Sequence, residues 1–296
     1  MTRFGCIEAG GTKFVCAVAT APDAIEASCR IPTTSPEETL GRVIAFFKEQ
    51  DLAGSGAGFG VASFGPLVLD QDSSDWGKIG GTPKPGWSGV DVAGAFGRAF
   101  GLPVAFDTDV AAAALAEARW GAATEAQAAI YLTVGTGIGG GAVVRGMPVR
   151  GRRHAEMGHM IPQRHPDDHD FAGSCPFHGG CLEGLASGTA IRARWGASLS
   201  DLPANHPGHA MIAWYLGGLA ANLMAALAPD IIVMGGGVME TPGLIEQVRT
   251  AAAAADAGYR AGSDEWSRII VPPGLGNQSG ILGALALAQD LVATPA

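Results

Sequence analysis

The chain has 296 residues, of which 47% are hydrophobic and 16% are charged, and its formal net charge is -9. This is enough apolar content for a large core or two domains. The acidic balance argues against a general nucleic-acid binder or a membrane-surface binder. The five cysteines are an odd number, and no long apolar segment opens the chain. Both features disfavour a secreted disulfide scaffold, so we expect a cytoplasmic protein.

One pattern of predicted elements occurs twice. Strands over 4–8 and 14–18 flank a glycine-rich turn, and strands over 130–134 and 141–144 flank another. Two copies of strand, Gly/Thr turn and strand predict two similar domains. The change from one domain to the next is expected near 107–129, although no Pro/Ser-rich linker marks it.

The remaining predicted elements alternate as in α/β proteins. Ser35 is expected to cap the first helix, which has Pro36 in its first turn. The segment 210–228 is apolar, but Asn222 interrupts it, and we expect a buried core helix there rather than a membrane span. The predicted helices are 36–51, 109–120, 210–228 and 280–292, and the further strands are 57–62, 103–106, 231–234 and 269–271.

The two glycine-rich turns are candidate phosphate-binding loops. Glycine lets the backbone approach a phosphate closely, and successive N–H groups can then point at its oxygens. Neither turn is a Walker A loop or a dinucleotide fingerprint, and such hairpins also occur without ligands. Lys13 could reach a phosphate or lie on a solvated strand face. The candidate residues are Gly10, Gly11, Thr12 and Lys13 in the first turn and Gly135, Thr136 and Gly137 in the second.

A third glycine cluster, Gly235, Gly236 and Gly237, follows the predicted strand 231–234. Ligands in α/β sheets bind outside the carboxyl ends of strands, so this cluster could leave room for a nucleotide base. The alternative is a tight turn from strand to helix.

An acidic pair stands where the strand 103–106 meets the helix 109–120. One residue of Asp107-Thr108-Asp109 is expected to cap that helix. A second carboxylate at this junction could accept a proton from an alcohol, and the helix N-terminus favours its ionised form. We expect Asp107 to be the cap and Asp109 the base, although composition alone does not order them.

A zinc site is predicted from the spacing H-x15-C-x2-H-x2-C, formed by His159, Cys175, His178 and Cys181. Two nitrogens and two sulfurs make a complete tetrahedral set, which closes the site to water and indicates a structural metal. The competing histidines are expected to be solvated loop residues (His165 and His169) or a nearby alternative ligand (His154). Glu156 and Glu183 flank the ligands, and we hypothesise that the metal orders the loop that carries them.

Four motifs together resemble the ROK sugar kinases, and most of all the bacterial fructokinase branch of that family. They are IEAGGTK at 7–13, DTDVAAAALAE at 107–117, TVGTGIGGG at 133–141 and EMGH with CLEGLASG within 156–188. The resemblance implies the α/β actin-like ATPase (ribonuclease H-like) fold, with two similar domains around a central cleft. It also implies ATP- and Mg²⁺-dependent transfer of a phosphoryl group to the 6-hydroxyl of a hexose, with fructose as the expected substrate. The expected domains are 1–107 with about 281–296, and 108–280.

The resemblance assigns a role to each matching position. Asp109 matches the catalytic base, and Glu8 could hold Mg²⁺ through a water. The sugar is assigned to Thr82, Thr108, Asp109, Glu156, His159 and Glu183. The nucleotide and its phosphates are assigned to Thr133, Gly188, Gly235, Gly236, Gly237 and the two turns. The stretch 80–87, which includes Lys84, is expected near the sugar.

Some positions depart from the family pattern. Glu8 stands where many relatives have Asp, Thr108 where Asn is usual, and Thr189 where Pro is usual. His178 replaces a cysteine, as in the fructokinase branch.

Several rival functions remain at this stage. A ROK kinase for glucose, mannose or an N-acetylhexosamine would have similar motifs. A DNA-binding repressor is disfavoured because the first turn already begins at residue 10, and a non-catalytic sugar sensor is disfavoured by Asp109 and both turns. The expected partners are a hexose and ATP, with no nucleic acid and no membrane, and a homodimer is expected from the family. The sequence leaves the preferred hexose, the oligomeric state and the regulation open.

Overall fold

The computed structural model describes residues 2–293, which form two compact units. The first unit comprises the residues up to 120, the segment 147–155 and the residues from 277 onward. The second comprises 121–146 and 156–276. These units differ from the expected domains in that residues 108–120, 147–155 and 277–280 belong with the first unit.

The elements alternate between strand and helix along most of the chain. The strands are β1 (Arg3–Ala9), β2 (Lys13–Ala21), β3 (Ala24–Pro32), β4 (Gly56–Ser63), β5 (Val104–Thr108), β6 (Ala128–Val134), β7 (Ile138–Val144), β8 (Met147–Pro148), β9 (Ile231–Gly235) and β10 (Ile270–Val271). The helices are α1 (Pro36–Glu49), α2 (Leu52–Ser55), α3 (Val92–Phe100), α4 (Asp109–Trp120), α5 (Leu182–Ala186), α6 (Gly188–Trp195), α7 (Gly208–Leu227), α8 (Leu244–Asp256), α9 (Trp266–Ile269) and α10 (Ser279–Ala293).

The first unit is built on a sheet with the strand order β3-β2-β1-β4-β5. β1, β2 and β3 are antiparallel neighbours, whereas β4 and β5 run parallel to β1. Aromatic side chains of α1, β4 and α3 fill the core, and Phe59 contacts both Phe47 and Phe96 ring to ring. Ser35 caps α1 by accepting a hydrogen bond from the Glu38 N–H at 3.3 Å, as predicted.

The last helix, α10, packs on β1 and β4 and against α4. Glycines permit this close approach, because a Cβ on Gly60 would lie 1.8 Å from the Ala284 carbonyl oxygen. A Cβ on Gly283 would meet Ala112 at 2.3 Å in the same way. The expected domains assign this helix to the first domain, and in the structure it packs within the first unit.

The second unit repeats the same arrangement. Its strands lie in the order β10-β9-β6-β7, with β7 antiparallel to β6 and β9 parallel to it. In both units, therefore, a hairpin with a glycine-rich turn pairs its first strand with a later parallel strand. The duplication predicted from the sequence is confirmed.

The apolar helix α7 packs against α8 and α5 in the second unit. A Cβ on Gly217 would lie 2.6 Å from that of Ala251, so the helices approach closely. By length and composition alone α7 could cross a membrane, but half of its most apolar window is buried. Its packing is that of the predicted core helix.

Candidate functional site

The first glycine-rich turn is fixed by backbone hydrogen bonds and by the end of β3. The Gly10 N–H donates to the Lys13 carbonyl at 3.0 Å. The hydroxyl of Thr33 donates to the Gly10 carbonyl at 2.7 Å, and the Thr33 N–H donates to the Thr12 carbonyl at 2.9 Å. A Cβ on Gly10 would lie 2.8 Å from the Lys13 oxygen, so the turn needs glycine at this position.

Glu8 and Lys13 line a groove of about 510 Å³ in the first unit, together with Arg30. Burial raises the pKa of Glu8, and the charges of Lys13 and Arg30 oppose that rise. A Cβ on Gly280 would lie 2.4 Å from the Glu8 carboxyl, so α10 begins tightly against this side chain. A role for Glu8 toward Mg²⁺ remains a prediction.

The second glycine-rich turn is held by the start of α6 and by α5. The N–H of Gly188 donates to the Gly135 carbonyl at 2.7 Å, and the Thr189 hydroxyl donates to the Thr136 carbonyl at 2.8 Å. A carboxylate oxygen of Glu183 accepts the N–H of the residue after the turn, Ile138, at 3.0 Å. Thr189, a departure from the family pattern, therefore supports the turn through its side chain.

The third glycine cluster lies beside the second turn. Thr133 and Gly235 are register partners in the parallel pair of β6 and β9. Gly236 has φ 93°, and a Cβ there would lie 2.5 Å from the backbone of Val134. Only glycine fits this close approach without strain. The structure thus brings the residues 235–237 next to the end of β6, where the second turn begins.

Asp109 is the first residue of α4. Thr108, one position earlier, caps the helix, because its hydroxyl oxygen accepts the Ala111 N–H at 3.1 Å. The prediction that Asp107 is the cap is therefore wrong. Asp107 still pairs with Ala62 in the sheet, and its side chain is buried there. Asp109 itself accepts the Val110 N–H at 2.9 Å and is half-buried.

Asp107 supports the turn that presents Asp109. One of its carboxylate oxygens accepts the Thr108 N–H at 2.8 Å. The other lies 3.1 Å from a guanidinium nitrogen of Arg150, an ion pair whose angles are not those of a hydrogen bond. Burial raises the pKa of Asp107, while Arg150, the Thr108 N–H and His154 oppose the rise. Sequence reasoning missed Arg150, which has no local signal.

The four predicted zinc ligands come together in the second unit. Their ligand atoms all lie within 4.8 Å of one another. The Nδ1 of His159 is 3.7 Å from the Sγ of Cys175 and 3.5 Å from that of Cys181, and His178 Nδ1 is 3.7 Å from Cys175 Sγ. A tetrahedral zinc, with bonds of about 2.3 Å to sulfur and about 2.0 Å to nitrogen, separates such ligands by roughly 3.5 Å.

The donor set fits a structural zinc and leaves no position for water. Burial raises the pKa of the Cys181 thiol to about 11, so this sulfur is protonated at neutral pH when no metal is bound. Zinc binding would displace that proton, as metal binding to thiols generally does. The sequence prediction of the ligand set agrees with the geometry.

Glu156 and Glu183 both lie on segments that carry residues of the four-ligand cluster. The Glu156 carbonyl accepts the His159 N–H at 3.0 Å at a single turn of 3-10 helix. Glu183 stands on α5, two positions after Cys181. The Leu182 N–H donates to the Met160 carbonyl at 2.9 Å, which joins the two segments. His154, the alternative ligand, belongs to the first unit and accepts the Leu67 N–H through Nε2 at 2.8 Å.

A buried ionic network that the sequence did not reveal holds the loop between His159 and Cys175. Asp168 accepts a hydrogen bond from the Tyr215 hydroxyl at 2.5 Å and lies 3.1 Å from the Arg194 guanidinium. His165 is partly buried and its ring contacts Trp214, so the expectation of a solvated His165 is wrong. The expectation for His169 is confirmed, since it is exposed.

The stretch 80–87 forms a compact loop on the first unit. Thr82 accepts the Lys84 N–H through its hydroxyl at 3.3 Å. The buried indole of Trp87 donates to the Thr34 carbonyl at 3.0 Å and contacts the ring of Phe14. The ammonium of Lys84 donates to the Gly11 carbonyl at 2.5 Å. This loop is therefore attached to the first glycine-rich turn.

Comparisons with known proteins agree with this description. The ROK family model matches residues 4–291. The chain is 52% identical to the fructokinase of Zymomonas mobilis over 289 residues, which are 96% of each chain, and 40% identical to that of Streptococcus mutans over 98% of each. The crystal structure of the ROK hexokinase from Thermus thermophilus superimposes with a TM-score of 0.79 at 28% identity, covering 99% of each chain. The fold is the actin-like ATPase fold, and the chain belongs to the ROK family.

Proposed function

We propose that this protein is an ATP-dependent fructokinase, which transfers the terminal phosphoryl group of ATP to the 6-hydroxyl of D-fructose. The observation that carries the proposal is the end-to-end similarity to the fructokinase of Zymomonas mobilis, at 52% identity. The similarity to a second fructokinase, that of Streptococcus mutans, at 40% identity supports the same substrate.

Asp109 is the proposed general base. It begins α4 next to the capping Thr108, and a helix N-terminus favours the ionised carboxylate. The ionised group accepts the proton of the sugar hydroxyl as that oxygen attacks phosphorus. The Thr108 hydroxyl uses one of its two acceptor lone pairs in the cap, so toward a sugar it retains its hydroxyl hydrogen as a donor and its second lone pair as an acceptor.

The glycine-rich turns are the proposed phosphate-binding loops. Residues 10–12 and 135–137 would donate backbone N–H groups to phosphate oxygens, with Gly188 and Thr133 beside the second turn. The cluster Gly235–Gly237 is the proposed binding site for the adenosine part of ATP. ATP-dependent kinases use Mg²⁺ to neutralise the charge that develops on the phosphates, and Glu8 is the proposed holder of a Mg²⁺-bound water.

The zinc is a scaffold in this proposal. His159, Cys175, His178 and Cys181 would hold it, and it would order the segments that carry Glu156 and Glu183, the proposed ligands of sugar hydroxyls. One ring nitrogen of His159 cannot bind both the metal and the sugar. Nδ1 faces the two cysteine sulfurs, so Nε2 is the atom available to the sugar. We also propose that the protein is a cytoplasmic homodimer with no nucleic-acid or membrane partner.

A coupled assay of ADP release with a sugar panel tests the substrate. We expect fructose to give the highest kcat/KM, with glucose, mannose and N-acetylglucosamine at least tenfold lower. A preference for one of the other hexoses would mean that the protein is a ROK kinase with a different sugar substrate. Binding of fructose without ADP release from ATP would make it a sugar sensor.

A further inference from the structure

We propose that Lys84 binds the phosphate groups of the nucleotide rather than the sugar, and so belongs to the phosphate side of the site. The inference rests on the proposed kinase function and deepens it. It differs from the expectation drawn from the family resemblance, which places the stretch 80–87 near the sugar.

The position of the ammonium group is the first argument. Lys84 donates through Nζ to the carbonyl of Gly11, inside the first glycine-rich turn, although 73 positions separate the two residues. An ammonium has three N–H donors, so two remain for a ligand. The charge therefore lies against the turn that is proposed to cradle phosphate.

The absence of a counter-charge is the second argument. Within the described range 2–293, Lys84 has no carboxylate partner. The neighbouring Lys78, in contrast, is paired with Asp75 at 2.6 Å. Among the described residues, the exposed Lys84 ammonium hydrogen-bonds a neutral carbonyl, so no carboxylate of this part of the chain competes with an anion for it.

The rigidity of the loop is the third argument. Trp87 is fully buried and anchors the loop through its indole N–H on Thr34 and its contact with Phe64. Thr33, next to Thr34, holds the first turn by two hydrogen bonds. Loop and turn thus share one support at the end of β3, which keeps the ammonium in place without a ligand. Such preorganised charge is what phosphoryl transfer uses.

Kinetics of Lys84→Met and Lys84→Arg, with Lys78→Met as the matched control, test the inference. We expect Lys84→Met to lower kcat about 10- to 100-fold, somewhat less than the loss of a fully enclosed transition-state donor. The KM of the sugar should stay within about twofold, and Lys84→Arg, which keeps the charge, should recover most of the loss. Lys78→Met should behave as the unaltered protein.

Titration with a non-hydrolysable ATP analogue and with AMP separates this role from its rivals. Lys84→Met should bind the analogue about tenfold more weakly and bind AMP unchanged. A raised sugar KM with unchanged analogue binding would assign Lys84 to the sugar. Unchanged kinetics would mean that Lys84 only attaches its loop to the first turn. Either result overturns the inference. If no hexose is phosphorylated by the unaltered chain, the kinase proposal fails, whereas the titration still decides the role of Lys84.

Discussion

Glu183 accepts a hydrogen bond from the backbone N–H of Ile138 at 3.0 Å, immediately after the second glycine-rich turn. The same residue lies two positions after Cys181, a predicted zinc ligand. One carboxylate therefore joins the segment of the predicted zinc ligands to a proposed phosphate loop. A Cβ on Gly137 would lie 2.5 Å from this carboxylate, so the turn also needs glycine there.

Substitution of Glu183 should separate its two proposed roles. A glutamine keeps an oxygen for the Ile138 N–H but loses the charge, so Glu183→Gln should raise the KM of fructose about tenfold, with a smaller effect on kcat. Glu183→Ala removes both contacts and should lower kcat as well. Steady-state kinetics with each substrate varied in turn make the comparison. If the sugar KM is unchanged in Glu183→Gln, Glu183 does not bind the sugar and acts only by supporting the second turn.

Removal of zinc should loosen the segments that carry Glu156 and Glu183. We expect one zinc per chain by metal analysis, and its loss in Cys181→Ser. The KM of fructose should then rise at least tenfold, and the unfolding midpoint should fall, because the ligands no longer close the loop. Cys29→Ser, a substitution of a cysteine outside the cluster, is the control. Chelated, metal-free protein with unchanged kinetics would contradict the scaffold role.

The Asp168 network should stabilise the same loop independently of zinc. Asp168→Asn leaves the buried Arg194 without its counter-charge, and breaking a buried pair in this way costs about 3–5 kcal/mol of unfolding free energy. Asp167→Asn is the matched control, since Asp167 is exposed. Urea unfolding of both variants measures the difference. Equal stability of the two would show that the network contributes nothing.

Arg150→Met should destabilise the protein in a pH-dependent way. The substitution leaves the buried Asp107 carboxylate unpaired, and we expect a loss of about 1–3 kcal/mol at pH 8, less than for an enclosed pair because Arg150 is partly exposed. The folded-state pKa of Asp107 is raised already and should rise further, so protonation favours the folded state. The loss should therefore shrink as the pH falls toward 5.

Urea unfolding at pH 8 and pH 5 tests this prediction. Arg152→Met is the control, because Arg152 is largely exposed and lies 3.7 Å from Asp70. An equal loss for Arg150→Met at both pH values would mean that Asp107 does not titrate in this range.

The sequence predicted the parts of this protein that depend on local pattern. The two hairpins follow from alternating apolar residues around glycine-rich turns, and the zinc ligands follow from their spacing. The strand β3 was not predicted, because its residues are mostly exposed or half-buried and lack a regular apolar pattern. The helix α8 was not predicted either, and its alanine-rich sequence carries only a short buried face.

The errors and omissions in the site have a common physical cause. Which residue caps α4 depends on where the helix begins: α4 starts at Asp109, so the capping position falls on Thr108, the last residue of β5. The contacts of Arg150 with Asp107 and of Lys84 with Gly11 join residues far apart in the chain. Such contacts arise from tertiary packing and leave no periodic signal in the sequence.

The turnover of Asp109→Asn with fructose and MgATP tests the central claim most directly. An asparagine of the same size cannot accept the proton, so we expect kcat to fall about 10²- to 10⁴-fold, while fructose binding and the unfolding midpoint stay close to those of the unaltered protein. Turnover like that of the unaltered protein would contradict the assignment of Asp109 as the base of a sugar kinase.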